Sequence, residues 1–311
     1  MGTSKLWQKT SQFGASMGNL VLNISSRFTA DPMPNQQKLL LSLMKKNAAT
    51  EYGKKYGFAN IETFEQFQQK VPITDYDDYE QYVERMLAGE NNLITYKRIK
   101  RYVQTSGSAG KPKYIPLCAK AIWNFHIMGF CAPLGVTQNY YKNRGEQMPG
   151  QRSLLLIEVV NRVLQNGCTA SCSSAVPLNL LRPLAGFFSV TPKEVLYPEK
   201  PEEMDMNYLK LRFGIEDSGV TALTAVLITY LESLFEYLEK NWPVLVNDIE
   251  KGIINDAIQC PPDLRAKLQK KCRPNPERAA QLRAEFEKGF DTPHRSAYLA
   301  GACMDICHAW R

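Results

Sequence analysis

The chain has 311 residues, 44% of them hydrophobic and 22% charged, which is the balance of a globular protein with a sizeable core and excludes a disordered or fibrous chain. Lysine and arginine number 38 against 31 aspartates and glutamates, a formal charge of 38 − 31 = +7. So mild an excess favours an anionic ligand without demanding nucleic acid, and no Lys/Arg block interleaved with aromatics appears, so nucleic acid is not an expected partner.

The opening MGTSKLWQKTSQFGASM has one early lysine and no long apolar core, so it does not read as a secretory signal. Leu6 stands where myristoylation after Gly2 prefers Ser or Thr. Residues 1–35 are mixed and polar and close with Pro32 and Pro34. A helix is predicted over about 36–50, where Leu39, Leu40, Leu43 and Met44 give an apolar face. TFEQFQQK starts another, with Thr63 and Gln66 in capping-box spacing. In PITDYDDYEQYVERMLAGE, Thr74 is expected to cap a third helix. Asp77 and Asp78 sit near its positive end, and Gly89 closes it. Tyr76, Tyr79, Tyr82 and Val83 share one face of that helix and read as core packing.

LITYKRIKRYVQ reads as a strand, YIPL as a second extended piece, and AKAIWNFHIMGFCAPLG as a helix holding His126, which reads as a packed histidine. RSLLLIEVV is a buried strand by its apolar run. CTASCSSAVPLNLLRPLAGFF is a loop with short elements. The region from Gly219 to Ile253 is the clearest helix; Leu227, Leu231, Leu234 and Leu238 keep helical spacing, and Pro243 is expected to interrupt it. Residues 261–290 read as two charged helices broken at CRPNPE. The most apolar stretch, TALTAVLITYLESLF, falls short of the roughly 20 residues a membrane span needs. Eight cysteines without a CxxC predict free thiols in a reducing, cytoplasmic setting, with no membrane partner. Cys303, Cys307 and His308 read as chance spacing near a terminus, and no metal ligand set is assigned. Strands and helices are interspersed without a repeat, so the class is α/β.

One stretch lies outside ordinary packing: RYVQTSGSAGKPKYIPL, residues 101–117. Amides of a Gly/Ser/Thr-rich turn can converge into an anion cradle, and glycine lets a phosphate approach the main chain. Thr105, Ser106 and Ser108 add hydroxyls; Lys111 and Lys113 add charge. A charge-assisted hydrogen bond contributes roughly 1.5–3 kcal/mol, so three or four hold a triphosphate. The loop is not a Walker loop: Gly107 and Gly110 are too close, and Pro112 occupies the position of the magnesium hydroxyl. It lacks the third glycine and the following helix of a Rossmann turn. A structural turn between two strands is the competing reading.

The string TSGSAGKPKYIP resembles the phosphate loop of the acyl-adenylate-forming superfamily, and most closely that of the Gretchen Hagen auxin-responsive family of acyl acid–amido synthetases. EYGKKYGFANIETFEQFQQKVPITDYDDYEQYVERMLAGENN before the loop and LYPEKPEEMDMNYLKLRFGIEDSGVTALTAVLITYLESLFEYLEKNWPVLVNDIEKG after it are similar to the same family. The resemblance covers about residues 36–293. It implies part of a large luciferase-like domain with mixed sheets flanked by helices, preceded by an N-terminal segment over 1–35. It implies ATP phosphates bound by Thr105, Ser106, Gly107, Ser108, Ala109, Gly110 and Lys111, with Lys113 a weaker candidate. It also implies the reaction: a carboxylic acid and ATP give acyl-AMP and pyrophosphate, and an amino acid's amine then displaces AMP to form an amide.

Three parts of the family's pattern are not found: a second nucleotide motif whose acidic residue helps hold magnesium, a later aspartate for the ribose, and a small C-terminal domain. No catalytic residue is therefore assigned, and magnesium is implied with no ligand in this chain. After FDTP the tail HRSAYLAGACMDICHAWR departs from the family, and codons for it, read one base later, can spell a continuation of the family pattern. A frameshift near Pro293–His294 is the expectation, with 294–311 a divergent tail and activity impaired. The alternative is a non-catalytic remnant that binds nucleotide or a partner. The helix after the loop has no cation to grip a carboxylate, and its Trp123, Phe125, Met128 and Phe130 either line an acyl pocket or pack in the core.

Overall fold

The computed structural model describes residues 2–105, 111–148 and 152–290, with side chains over the same ranges except 2–7, 125–127 and 130. In chain order the helices are α1 (Gly2–Thr29), α2 (Pro32–Asn47), α3 (Glu51–Lys55), α4 (Phe64–Lys70) and α5 (Asp77–Leu87). Strands β1 (Arg101–Gln104) and β2 (Tyr114–Leu117) follow, then α6 (Ala119–Ala121), a π-helix over Ile122–Ile127, and α7 (Met128–Asn143). Next come β3 (Ser153–Leu155), β4 (Arg162–Val163), β5 (Thr169–Ser171), α8 (Ala175–Leu180), α9 (Lys193–Leu196), α10 (Met206–Gly214) and β6 (Ala222–Thr224). The described residues end with α11 (Ile228–Lys251), α12 (Pro262–Gln269) and α13 (Pro276–Phe286).

The chain divides into two compact units: one of Ala15–Asn139 with Asn161–Pro177, here the loop unit, and one of Met1–Gly14, Tyr140–Val160 and Leu178–Arg311, the helical unit. The loop unit holds a four-stranded sheet in the order β2-β1-β5-β4, in which β1 and β5 run parallel and the outer pairs antiparallel. One face of that sheet, with Tyr102 and Ala170, packs on Met44, Tyr52, Phe58, Tyr82 and Met86 from the helices before it. Tyr79 and Tyr82 of α5 pack in this cluster and Val83 is buried, as their spacing predicts; Tyr76, just before the helix, instead bonds the backbone of Tyr114. Thr63 caps α4 by accepting from Gln66 N at 3.2 Å. Thr74, however, does not cap α5. Its hydroxyl bonds Tyr79 Oη at 2.7 Å, and Asp75 Oδ1 accepts from Asp77 N at 2.9 Å instead. LITYKRIKRYVQ is strand only over its last four residues. Before them the backbone is spent elsewhere: Leu93 O accepts from Tyr52 N at 2.9 Å, and Tyr96 N donates to Asn47 Oδ1 at 3.1 Å.

The N-terminal segment is helical, which its polarity conceals. Its buried stripe is Ser11, Ala15, Gly18 and Val21, of which the first three are small residues that carry little hydropathy. At Gly18 the helix meets Gly135 of α7 so closely that a methyl on either would strike the other's backbone. Asn19 Nδ2 donates to Gln138 Oε1 at the same crossing.

The helical unit packs α10, α11 and α13 into one cluster, with the parallel pair β3 and β6 contributing Leu154. Pro243 does not interrupt α11. A proline in a helix interior costs roughly 3 kcal/mol. Leu238 before it and Leu245, Val246 and Ile249 after it are all buried, and each contributes about 1.5–3 kcal/mol. Burial on both sides therefore outweighs the lost backbone bond. Within this cluster lies Arg212, wholly buried. Its Nη1 meets Glu216 Oε2 at 2.6 Å, Nε donates to Ile253 O at 3.0 Å, and Nη2 donates to Asp248 O at 3.2 Å. Asp248 in turn accepts from Tyr208 Oη at 2.9 Å, and Tyr208 Oη accepts from Asn255 N at 3.0 Å.

Removing one partner of a buried charge network costs about 3–5 kcal/mol. Arg212→Ala is accordingly expected to lower unfolding free energy by that amount in urea titrations followed by circular dichroism, whereas Lys288→Ala, which breaks only an exposed pair with Glu285, should stay within about 0.5 kcal/mol.

Candidate functional site

The loop singled out by the sequence joins β1 to β2 in an antiparallel hairpin whose last register pair is Gln104 with Tyr114. Strand–loop–strand is the predicted context, and the structure has it. Ser106, Gly107, Ser108, Ala109 and Gly110 lie outside the described residues, so the geometry of the site is that of its two ends.

Those ends are fastened twice. Thr105 N donates to Lys113 O at 3.0 Å, and Lys113 N donates to Thr105 Oγ1 at 3.0 Å. A hydroxyl has two lone pairs and one proton, so Thr105 can accept this bond and still donate to a ligand. Beside them, Tyr76 Oη accepts from Tyr114 N at 3.0 Å and donates to Tyr114 O at 3.3 Å. Lys113 Nζ lies 4.8 Å from the centre of the Tyr76 ring. Lys113 is thus engaged by an aromatic face at the hinge of the loop. Lys111 is exposed and forms no ion pair among the described residues, which leaves its charge available to an anion.

Behind the loop, β1 and β5 run side by side in parallel, Arg101 beside Thr169 and Val103 beside Ser171. Their carboxyl ends therefore point the same way, and the Gly/Ser loop and the CSS sequence of 172–174 leave the sheet together. Paired residues share a sheet face, so Arg101, Val103, Thr169 and Ser171 face away from the tyrosine cluster. Two polar atoms there, Arg101 Nη1 and Ser171 Oγ, are buried and have no hydrogen-bond partner. Burial without a counter-charge pulls the Arg101 guanidinium below its ordinary pKa. Buried polar groups in folded proteins are nearly always satisfied, so a pair of orphans calls for an explanation. The sequence reading passed over both. By sequence Arg101 is one residue of a strand and Ser171 one of several small residues in a loop; only the strand register sets them on one face.

The remaining candidates scatter. Trp123 is about half exposed and Met128 partly buried, while the side chains of Phe125, His126 and Phe130 lie outside the described ones. Cys118, Cys131, Cys168, Cys172, Cys260 and Cys272 are free thiols; Cys303, Cys307 and His308, with the whole tail, lie outside the described residues. Among the described residues no three His, Cys, Asp or Glu side chains are grouped as a metal site. No described helix is long and apolar enough to cross a membrane.

The fold matches a solved structure of GH3.15 acyl acid amido synthetase with a TM-score of 0.75 over 90% of this chain and 49% of that one, at 22% identity. A second structure of that protein, in complex with 2,4-DB, matches with a TM-score of 0.74. The architecture is thus the α/β fold of acyl acid amido synthetases, mixed sheets flanked by helices. A sequence profile of the GH3 family N-terminal domain matches residues 21–297, and the chain belongs to the GH3 family. Curated relatives include a probable indole-3-acetic acid-amido synthetase GH3.11 of Oryza sativa subsp. japonica, 26% identical over 86% of this chain and 45% of its own length. A jasmonoyl–L-amino acid synthetase JAR6 of Nicotiana attenuata is 25% identical over 81% of this chain and 43% of its own. The chain spans about half the length of the curated relatives it matches.

Tyr76 joins α5 to the hairpin through its hydroxyl, so Tyr76→Phe should cost about 1 kcal/mol of stability. The backbone amide of Tyr114 should also lose protection. Hydrogen exchange at Tyr114 reads this directly, and unchanged protection would remove Tyr76 from the hinge.

Proposed function

We propose that residues 105–113 seat the phosphates of ATP in the first half-reaction of an acyl acid–amido synthetase. The observation that carries this is the doubly fastened Thr105–Lys113 hinge with an exposed, unpaired Lys111 at the mouth of a Gly/Ser turn. Attack of a carboxylate on the α-phosphorus forms a carbon–oxygen–phosphorus bond and expels pyrophosphate. Negative charge spreads over the phosphate oxygens as it does so, and donors already in place stabilise it without reorganising. Thr105 supplies a hydroxyl proton, the turn supplies amides and the Ser106 and Ser108 hydroxyls, and Lys111 supplies charge; Lys113 sets the hinge through Tyr76. An amino acid's amine then attacks the acyl carbon, the amide forms, and AMP leaves with its electron pair. The orphan atoms of Arg101 and Ser171 fit an oxyanion of the bound substrates at the root of the loop. Magnesium, which normally shares the phosphate charge, is assigned no residue of this chain.

The alternative reading is that these residues hold nucleotide, or a partner, without turning over. Acid-dependent ATP–pyrophosphate exchange separates the two. Exchange by this chain supports adenylation, and binding without exchange supports the second reading. For the site itself, Ser106→Ala combined with Lys111→Ala should weaken MgATP binding at least tenfold in calorimetry, since one charge-assisted bond alone contributes about 1.5–3 kcal/mol. The thermal midpoint should not move. Unchanged affinity would take the phosphates away from this loop.

A further inference from the structure

The basic run that leads into β1, Lys97 to Lys100, has no part in the loop. It borders a cavity of about 280 Å³. The opposite walls are the Gly89–Asn92 turn and the Asn166–Cys168 turn. Lys97, Arg98 and Lys100 all line it, and none forms an ion pair among the described residues. Glu90, a carboxylate on the rim, is held by Arg85, whose Nη2 lies 2.8 Å from Glu90 Oε2. Arg85 is shared with Glu51, at 2.8 Å, so Glu90 keeps part of its charge; Lys97 Nζ lies 4.8 Å from the centre of the Tyr96 ring, and the cavity still carries three cations against one carboxylate.

The walls are built rather than loose. Ile99 is buried between Arg98 and Lys100 and anchors the run in the tyrosine cluster. Lys100 O accepts from Thr169 N at 3.2 Å. Across the cavity, Asn92 takes a left-handed conformation with φ 62°, and its Nδ2 donates to Ala49 O at 3.1 Å. Asn166 Nδ2 donates to Met86 O at 3.0 Å. Three like charges gathered on such a frame repel one another unless an anion sits between them. The volume suits one or two phosphate groups, not a drug-sized ligand.

We infer that this cavity is a second anion site, for a small phosphate-class oxyanion, separate from the loop. It opens at the amino end of β1, whereas the loop leaves the carboxyl end. Four strand residues at about 3.3 Å each hold the two roughly 13 Å apart. The site does not depend on the reading of the loop as an ATP seat.

The test titrates inorganic phosphate into the whole chain at low salt. The background is Ser106→Ala with Lys111→Ala, so that the loop does not account for the signal, and binding is read by calorimetry. Saturable binding is expected, at least tenfold weaker after adding Lys97→Gln and Lys100→Gln. Adding Lys45→Gln and Lys46→Gln instead removes the same charge from α2 and should leave binding intact. No saturable binding in the background, or equal losses from both pairs, overturns the site; circular dichroism of each variant must match the parent for the comparison to count.

Discussion

The paired hydrogen bonds between Thr105 and Lys113 are the constraint on which the proposed phosphate seat rests. A glycine-rich bend has many conformations, and its entropy opposes any one of them. Pinning both ends removes most of that freedom before a ligand arrives. The hinge is then tied to the core at a second point, because Tyr76 both accepts from and donates to the backbone of Tyr114. Tyr76 stands at the start of α5, whose Tyr82 and Met86 are buried. The loop's stability is therefore borrowed from the tyrosine cluster, and the same ring steadies Lys113 by its face.

The helical unit solves a different problem by similar means. Arg212 is buried where a cation would normally be unaffordable, and it survives because each of its nitrogens has an acceptor. Two of these acceptors are backbone carbonyls, of Asp248 near the end of α11 and of Ile253 just after it. A carbonyl oxygen has two lone pairs, so Asp248 O, which already accepts from Ile253 N at 2.9 Å, can also accept from the guanidinium. Gly252, with φ 68°, turns the chain so that Ile253 O can reach the guanidinium. Sequence cannot show this, since Arg212 reads as one more charge on a helix.

Legibility followed the strength of the local signal. The two helices broken at CRPNPE were plain because proline and asparagine punctuate them, and Asn275 caps α13 by accepting from Arg278 N. The hairpin was plain because glycines and a proline separate two β-branched runs. The N-terminal helix was not, since a stripe of Ser11, Ala15 and Gly18 buries surface by close approach rather than by hydropathy. Pro243 misled because a backbone rule was applied without the leucines on either side. Thr74 misled because its hydroxyl has a tertiary partner in Tyr79, which outcompetes the cap. Of the site, the composition of the loop was legible and its hinge was not, because Tyr76 is 38 residues from Tyr114 in sequence.

The arrangement of β1 places the proposed phosphate loop and the proposed cavity site at opposite ends of one short strand. Its parallel neighbour β5 sends the chain out at the same end as β1, while the antiparallel β2 returns along the other edge of β1. In open α/β sheets, ligands gather outside the carboxyl ends of parallel strands, where the connecting loops diverge. The Gly/Ser loop sits there. The amino end is normally inert, built for stability, and here it is bordered by three cations that form no ion pair among the described residues. Natural surfaces intersperse charges of both signs, so an excess of one sign over a framed cavity has a cost that solvent and salt only partly offset. A bound oxyanion would remove that cost at the end of β1 remote from the loop. Arg101, one residue further on and on the opposite sheet face to Tyr102, completes the contrast: it shares a sheet face with Ser171, whereas Lys97, Arg98 and Lys100 line the cavity.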